Sequence, residues 1–383
     1  MKISAIDVFV MATPLDEPFA FSQGWVTQRS ATLVRIQTDN GLTGWGEAFT
    51  QGLEPPQIAA ATIEHALKPL LIGENPLDHA VLWERMYTRT RDYGRKGSVI
   101  SAISALDIAL WDVAGHFLQQ PVSQLLGGRY RESVQPYATG FYRQQGKNEA
   151  SRLAEEALQH RDAGFKAMKI KLGFGVNDDI EVMQKITSAL NDPAIELMVD
   201  SNHAYSRADA LKLGKALEDY NLRWYEEPVA PEDIAGYAEL RQNLTTPIAG
   251  GENEHTPYGF NDLFRASALD VAQPDIGSCG GFTAARSIAT MAHANGVAVN
   301  PHVWGSAVAQ AASLQWIATI PPANHSLYAL EPVLEYDRSS HPFRQQLVSA
   351  PWYMNNDGNI AIPKGPGLGI EVRLETVEQY KIN

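Results

Sequence analysis

Apolar positions along this chain follow two rhythms. Met1 to Val10 alternates apolar and polar residues as a strand does, and Ala31-Thr32-Leu33-Val34-Arg35-Ile36-Gln37-Thr38 repeats the alternation. Asp39-Asn40-Gly41 supplies a turn and Thr43-Gly44-Trp45-Gly46-Glu47 returns, which predicts a hairpin. Helical spacing follows near Pro56–Leu71, Leu77–Arg89 and Val99–Phe117. Strands first and helices afterwards is an α+β pattern, and Gly127-Gly128 marks its end.

After that boundary, short apolar runs alternate with helical stretches such as Glu149–Ala163 and Ala284–Ala294. The predicted strands are Val134–Thr139, Ala167–Leu172, Glu196–Asp200, Arg223–Glu226, Pro247–Gly250, Leu269–Gln273, Val297–Asn300 and Leu327–Leu330. Alternation of this kind yields a parallel sheet, and eight strands close it into an α/β barrel of the TIM type. The expected division is 1–130 for the α+β unit, 131–332 for the barrel, and 333–383 for a tail that packs back on the N-terminal region. Gly365-Pro366-Gly367-Leu368-Gly369 opens no helix and follows no βα unit, so it reads as a structural loop and not a dinucleotide site.

Composition narrows the partners. With 383 residues and 44% hydrophobic content the chain can bury a large interior, and its net charge of −13 without a basic stripe argues against nucleic acid. An anionic small molecule stays compatible, because a buried metal and a few lysines reverse the potential locally. The lone Cys279 excludes a disulfide framework, fits a reducing compartment, and in Gly277-Ser278-Cys279-Gly280-Gly281 reads as a small filler. The start of the chain reads as a strand and not a signal peptide, and no apolar run suggests a bilayer span. A soluble, cytoplasmic protein with no membrane partner is expected.

Seven polar residues stand at near-even intervals: Lys171, Asp200, Glu226, Glu252, Asp275, His302 and Glu331. Nearly every one follows an apolar run, where barrel strands emerge and catalytic groups collect. Lys169 and Lys171 share one strand face, with Ile170 on the other. Two lysines at a strand end are by themselves more often solvated, but acidic residues on the next strands change the balance. Buried together, they need carboxylates as partners or must lose a proton. Asp200, Glu226 and Glu252 end three consecutive strands and would repel strongly without a counter-ion. As lone residues they would read as helix caps. As an all-oxygen set they suit Mg²⁺ better than Zn²⁺. Glu227 and Glu254 neighbour these ligands on the opposite face or farther along the loop. Asp275 and His302 end adjacent strands, so the carboxylate can fix one imidazole nitrogen and raise the basicity of the other.

Taken with the Lys-x-Lys at 169–171, this set resembles the enolase superfamily in its mandelate racemase/muconate lactonizing enzyme branch, whose chemistry pairs a Lys or His base with Mg²⁺. The resemblance implies a modified (β/α)7β barrel under an α+β capping domain, Mg²⁺ on Asp200, Glu226 and Glu252, and an Asp275/His302 dyad with Glu331 on the last strand. Segments outside the catalytic set, among them Leu125–Val134, Tyr137–Gly140, Lys169–Val176, Pro301–Gly305 and Glu331–Asp337, resemble the lactone-opening cycloisomerases of that branch. They imply a sugar-acid or lactone substrate, in the first place a galactarolactone, opened by β-elimination to a 3-deoxy-2-keto-hexarate. Lys171 would be the base and His302 a proton donor, or the reverse for a substrate of the opposite configuration, and Lys169 and Glu331 would stabilise the developing charge. Acid-sugar dehydration, then racemisation or epimerisation, are the alternatives; a non-catalytic metal-stabilised barrel needs neither the second lysine nor the dyad. The resemblance further implies a homo-oligomer and specificity loops near 18–25 and 50–56, where Phe19, Phe21 and Trp25 read either as a water-excluding lid or as ordinary domain packing.

Overall fold

The computed structural model describes residues 1–146, 148–324 and 326–382. Three antiparallel strands, Ile3–Phe21, Gly24–Thr38 and Thr43–Ala48, form the N-terminal sheet. The first two are far longer than the alternation suggested. Their pairing runs from Ile3 opposite Thr38 to Phe21 opposite Gly24, interrupted between Pro14 and Phe19. The expected loop at 18–25 is therefore the tip of a β-ribbon, held straight by Phe19 opposite Val26 and Ala20 opposite Trp25.

The sheet packs on helix Ser98–Leu118 through Val34, Ile36, Ile103, Leu106 and Leu110. Gly46 allows this close approach, since a Cβ there would overlap the Ala105 carbonyl. By length and composition this helix would pass for a membrane span, contrary to the expectation from run length. Its residues from Ile100 to Gly115 are buried, so it is the core helix of the capping domain.

Eight parallel strands make the barrel: Pro136–Thr139, Ala167–Lys171, Glu196–Asp200, Tyr225–Glu226, Ile248–Gly250, Val271–Ala272, Ala298–Val299 and Leu334–Asp337. Numbered in that sequence, their order in the sheet is 7-6-5-4-3-2-1-8. Ile170 and Val199 face the surrounding helices in the main core, while the inward face holds polar groups at the top. Beneath these, Tyr137, Ala167, Met198, Trp224, Ala249 and Val271 plug the barrel. Among the described residues no backbone ladder joins strands 7 and 8. Side chains bridge them instead: Val333 N donates to Asn300 Oδ1 at 2.8 Å, and Val303 N to Glu335 Oε2 at 3.0 Å.

The eighth strand corrects the sequence reading. Leu327 and Tyr328 are almost fully exposed, and the segment 327–330 forms no strand. Its apolar run is a surface loop, and the alternation that matters is Leu334-Glu335-Tyr336-Asp337, which pairs with Pro136–Thr139. The barrel therefore extends past the expected boundary at 332. Beyond it, Leu368 N donates to Asp112 Oδ1, and Ile382 N to Val10 O.

Asp337, at the end of that strand, pairs with Arg29 of the capping sheet at 2.9 Å, both side chains being buried. Burial lowers the Arg29 pKa against the opposing pull of Asp337, and the guanidinium lies 4.3 Å over the Trp304 ring. Asp337→Ala would strand a buried cation and is expected to cost roughly 3–5 kcal/mol in urea denaturation. A loss below about 1 kcal/mol, the range of exposed pairs, would show that water reaches Arg29.

Candidate active site

The site forms where the barrel strands end beneath the capping sheet. Lys169 Nζ lies 2.6 Å from Glu226 Oε1, 2.8 Å from Glu335 Oε1 and 3.6 Å from Asp200 Oδ2. Lys171 Nζ lies 2.5 Å from Asp200 Oδ2 and donates to Asn202 Oδ1 at 3.0 Å. Both lysines are buried, and carboxylates rather than proton loss compensate them. Burial alone would lower their pKa values, but Glu226 and Glu335 raise Lys169 well above the usual range, and Asp200 raises Lys171. Asp200 responds in kind: burial would raise it, yet Lys171 and Lys169 hold it low.

Asp200, Glu226 and Glu252 converge, each offering a carboxylate oxygen within 4.8 Å of the others. Glu226 Oε2 is fixed by Gln273 Nε2 at 2.7 Å and Trp224 Nε1 at 2.8 Å. Burial raises the Glu226 pKa to about 7, opposed by Lys169 and reinforced by Asp200. Glu252 Oε1 receives Asn202 Nδ2 and the capping residue Gln51 Nε2, whereas Glu252 Oε2 is buried with no hydrogen bond. That orphaned oxygen fits a cation. So does the charge: with all five ionised, the carboxylates of Asp200, Glu226, Glu252, Asp275 and Glu335 outnumber Lys169, Lys171 and a charged His302 by two. A divalent ion balances that excess, and an all-carboxylate set favours a hard one such as Mg²⁺.

On the other side, His302 Nδ1 meets Asp275 Oδ2 at 2.7 Å, and Asp275 Oδ1 accepts from Gly277 N at 2.7 Å. Nε2 is thereby turned inward, 3.4 Å from Glu252 Oε2. Burial would lower the His302 pKa, but Glu252, Glu335 and Asp275 raise it to about 10.

The structure thus brings together Lys169, Lys171, Asp200, Glu226, Glu252, Asp275 and His302. It does not bring Glu331. That residue precedes the eighth strand, half exposed, and pairs with Arg131 at 2.6 Å. Glu335 occupies the expected place, and receives Thr139 Oγ1 at 2.9 Å. Reading an apolar run as the strand shifted the assignment by four residues. Asn202 was also missed. It is buried in a left-handed conformation, φ 43°, bridging Lys171 and Glu252. Its place two residues after Asp200 and the tolerance of Asn for that conformation were the available signals. Glu227 bonds Asn253 and is raised well above the carboxylate range by burial, then by Glu252; Glu254 pairs with Lys96. The Cys279 thiol is buried and strongly raised by burial, which suits a filler.

Phe19, Phe21 and Phe49 pack with Tyr142 and Trp304 as an aromatic cover. Trp25 stays 47% exposed, outside that cover. At the ribbon tip, Ser22 Oγ donates to Ser201 O at 2.8 Å and Gln23 Nε2 to Asn202 O at 2.7 Å. The combined Ser22→Ala, Gln23→Ala variant should raise KM by about fivefold to thirtyfold, from about 1 kcal/mol for each lost bond, with thermal stability nearly unchanged. An unchanged KM would mean that the tip does not order the site.

Family models match both parts of the chain: the mandelate racemase/muconate lactonizing enzyme N-terminal domain over residues 5–127, and the enolase C-terminal domain-like family over residues 152–377. A D-galactarolactone cycloisomerase of Agrobacterium fabrum is 39% identical over 382 residues, covering 100% of this chain and 99% of the relative. The crystal structure of a 3,6-anhydro-D-galactonate cycloisomerase from Zobellia galactanivorans superposes with TM-score 0.89 at 38% identity, covering all of both chains. A racemase from Streptomyces coelicolor A3(2), solved with bound magnesium, gives TM-score 0.88 at 27% identity, covering 99% of this chain and 100% of the other.

Proposed function

This chain belongs to the mandelate racemase/muconate lactonizing enzyme family of the enolase superfamily, and from that membership we propose that it opens a sugar-acid lactone, in the first place a galactarolactone, by β-elimination. The observation that carries the reading is the convergence of three buried carboxylates between Lys171 on the second strand and His302 after the seventh. The full-length likeness to a galactarolactone cycloisomerase supports the choice of substrate.

Asp200, Glu226 and Glu252 would hold Mg²⁺, which would supply Lewis-acid stabilisation of the substrate carboxylate, and Lys171 would act in its neutral amine form. Lys171 Nζ takes the proton from the carbon next to the free carboxylate. Lys169, kept charged by Glu226 and Glu335, stabilises the negative charge that builds up on that carboxylate. The electron pair of the broken C–H bond forms a double bond to the β-carbon, and the bond from that carbon to the ring oxygen breaks. The ring oxygen leaves as a second carboxylate. His302, oriented by Asp275, delivers a proton to the β-carbon of the resulting enol while the enol hydroxyl gives up its own proton to solvent, giving the open 3-deoxy-2-keto-hexarate.

The expected working form is a cytoplasmic homo-oligomer acting on a small molecule, with no nucleic-acid or membrane partner. Incubation with aldarates, aldonates and their lactones in D₂O, followed by proton NMR, tests the reading. Loss of galactarolactone with deuterium at the β-carbon supports it. Selective turnover of an open-chain acid sugar would replace it with dehydration.

A further inference from the structure

Glu47 is the next-to-last residue of the third capping strand, outside the ring of groups described above, yet both its oxygens point across the domain boundary. Oε1 accepts from Ser306 N at 2.8 Å, and Oε2 from Ser306 Oγ at 2.5 Å and Ala309 N at 3.0 Å. Those donors form the N-terminus of the barrel helix Ala307–Ile317, which begins directly after the loop carrying His302. Gly305 lies so close that a Cβ there would stand 2.7 Å from Glu47 Oε1. A fully buried carboxylate with three donors and, among the described residues, no cation paired with it is costly as a mere cap, since Ser306 Oγ already accepts from Val308 N.

The chain just beyond that strand reaches the other half of the dyad. Phe49 N donates to Gly277 O at 3.0 Å, in the loop whose Gly277 N holds Asp275, and the Phe49 ring stands edge-on to the His302 imidazole at 5.2 Å. One capping segment therefore grips both catalytic loops.

We propose that Glu47 is a positioning residue: by fixing Ser306 and the helix start behind it, it holds His302 in register with Asp275. The proposal rests on the reading of His302 given above, but its geometric part can be measured without turnover. Buried Asp112 provides the control. It also lies in the capping domain and ties Trp45 N to Leu368 N, but it does not touch either catalytic loop.

The test uses full-length, Mg²⁺-loaded protein labelled with ¹⁵N-histidine. The low-field Nδ1 proton of the Asp275–His302 bond is identified by its absence in His302→Asn. In Glu47→Gln this signal should shift or broaden, and kcat should fall roughly tenfold to a hundredfold with KM within about twofold, as expected for a misplaced catalytic group. Asp112→Asn should lose stability yet keep both the signal and kcat. Should Glu47→Gln fail to fold, Ser306→Ala removes one bond of the clamp and should move the same readouts less. A wild-type imidazole signal together with wild-type kcat in Glu47→Gln, or in Ser306→Ala if that variant is needed, would overturn the proposal. A displaced signal in a protein whose wild type turns over no lactone would retain the positioning role and reject the reaction assigned above.

Discussion

Lys171→Ala protein, folded and loaded with Mg²⁺, is expected to lose lactone consumption by about a thousandfold or more, the scale of a general base. It should also lose exchange of the α-hydrogen in D₂O. The two losses go together because without the base no carbanion forms. His302→Asn should separate them: net turnover falls, while exchange through Lys171 continues as its proton trades with solvent before the reaction reverses. The seventh and second strands lie apart in the sheet, with strands 8 and 1 between them on one side, so the two groups would approach a bound substrate from different directions. Lys171→Ala protein that still opens lactone at the wild-type rate would remove it as the base, and His302 would take its place.

Glu226→Gln should be nearly as damaging, for a reason visible in its hydrogen bonds. Oε1 faces the Lys169 ammonium and Oε2 accepts from Gln273 and Trp224, so both positions require an acceptor. An amide must turn its NH₂ toward one set of donors. Mg²⁺ affinity is expected to fall at least tenfold by isothermal titration, with turnover below about one per cent of wild type, consistent with loss of charge stabilisation at the reacting carboxylate. The fold should hold, because the plug beneath the site and the surrounding helices are untouched. Exhaustive chelation of the wild type should have the same effect on activity. Full activity in chelated protein would end the metal role.

Much of this site could be read from the chain because barrel strands punctuate it. Where a strand ends in a polar residue after an apolar run, as at Asp200 and Glu226, period and position agree and the side chain points inward. The eighth strand broke that rule. Leu327–Leu330 is apolar yet exposed, while Leu334–Asp337 alternates and carries two buried acids, and run-based reading prefers the wrong one. The ribbon of the first two strands was hidden for a different reason. Pro14, Asp16, Glu17 and Pro18 interrupt the alternation, and only pairing across the ribbon shows that the strand resumes at Phe19. Glu47 could not be assigned from local pattern at all, since its partners lie about 260 residues away in sequence, at a helix start that gives no outward sign of needing a carboxylate.

The side-chain seam between the seventh and eighth strands has a consequence for how the molecule ages under stress. Glu335 closes that seam through Val303 N and also neutralises Lys169, so a single residue belongs to both the barrel wall and the reaction chamber. If the wall parts there, Lys169 loses a partner and the loop beyond His302 loses an anchor in the same movement. Heat inactivation is then not a gradual erosion of a site inside an intact shell. The loss of activity and the breach of the wall should follow one time course, with no long-lived population that is closed but inert.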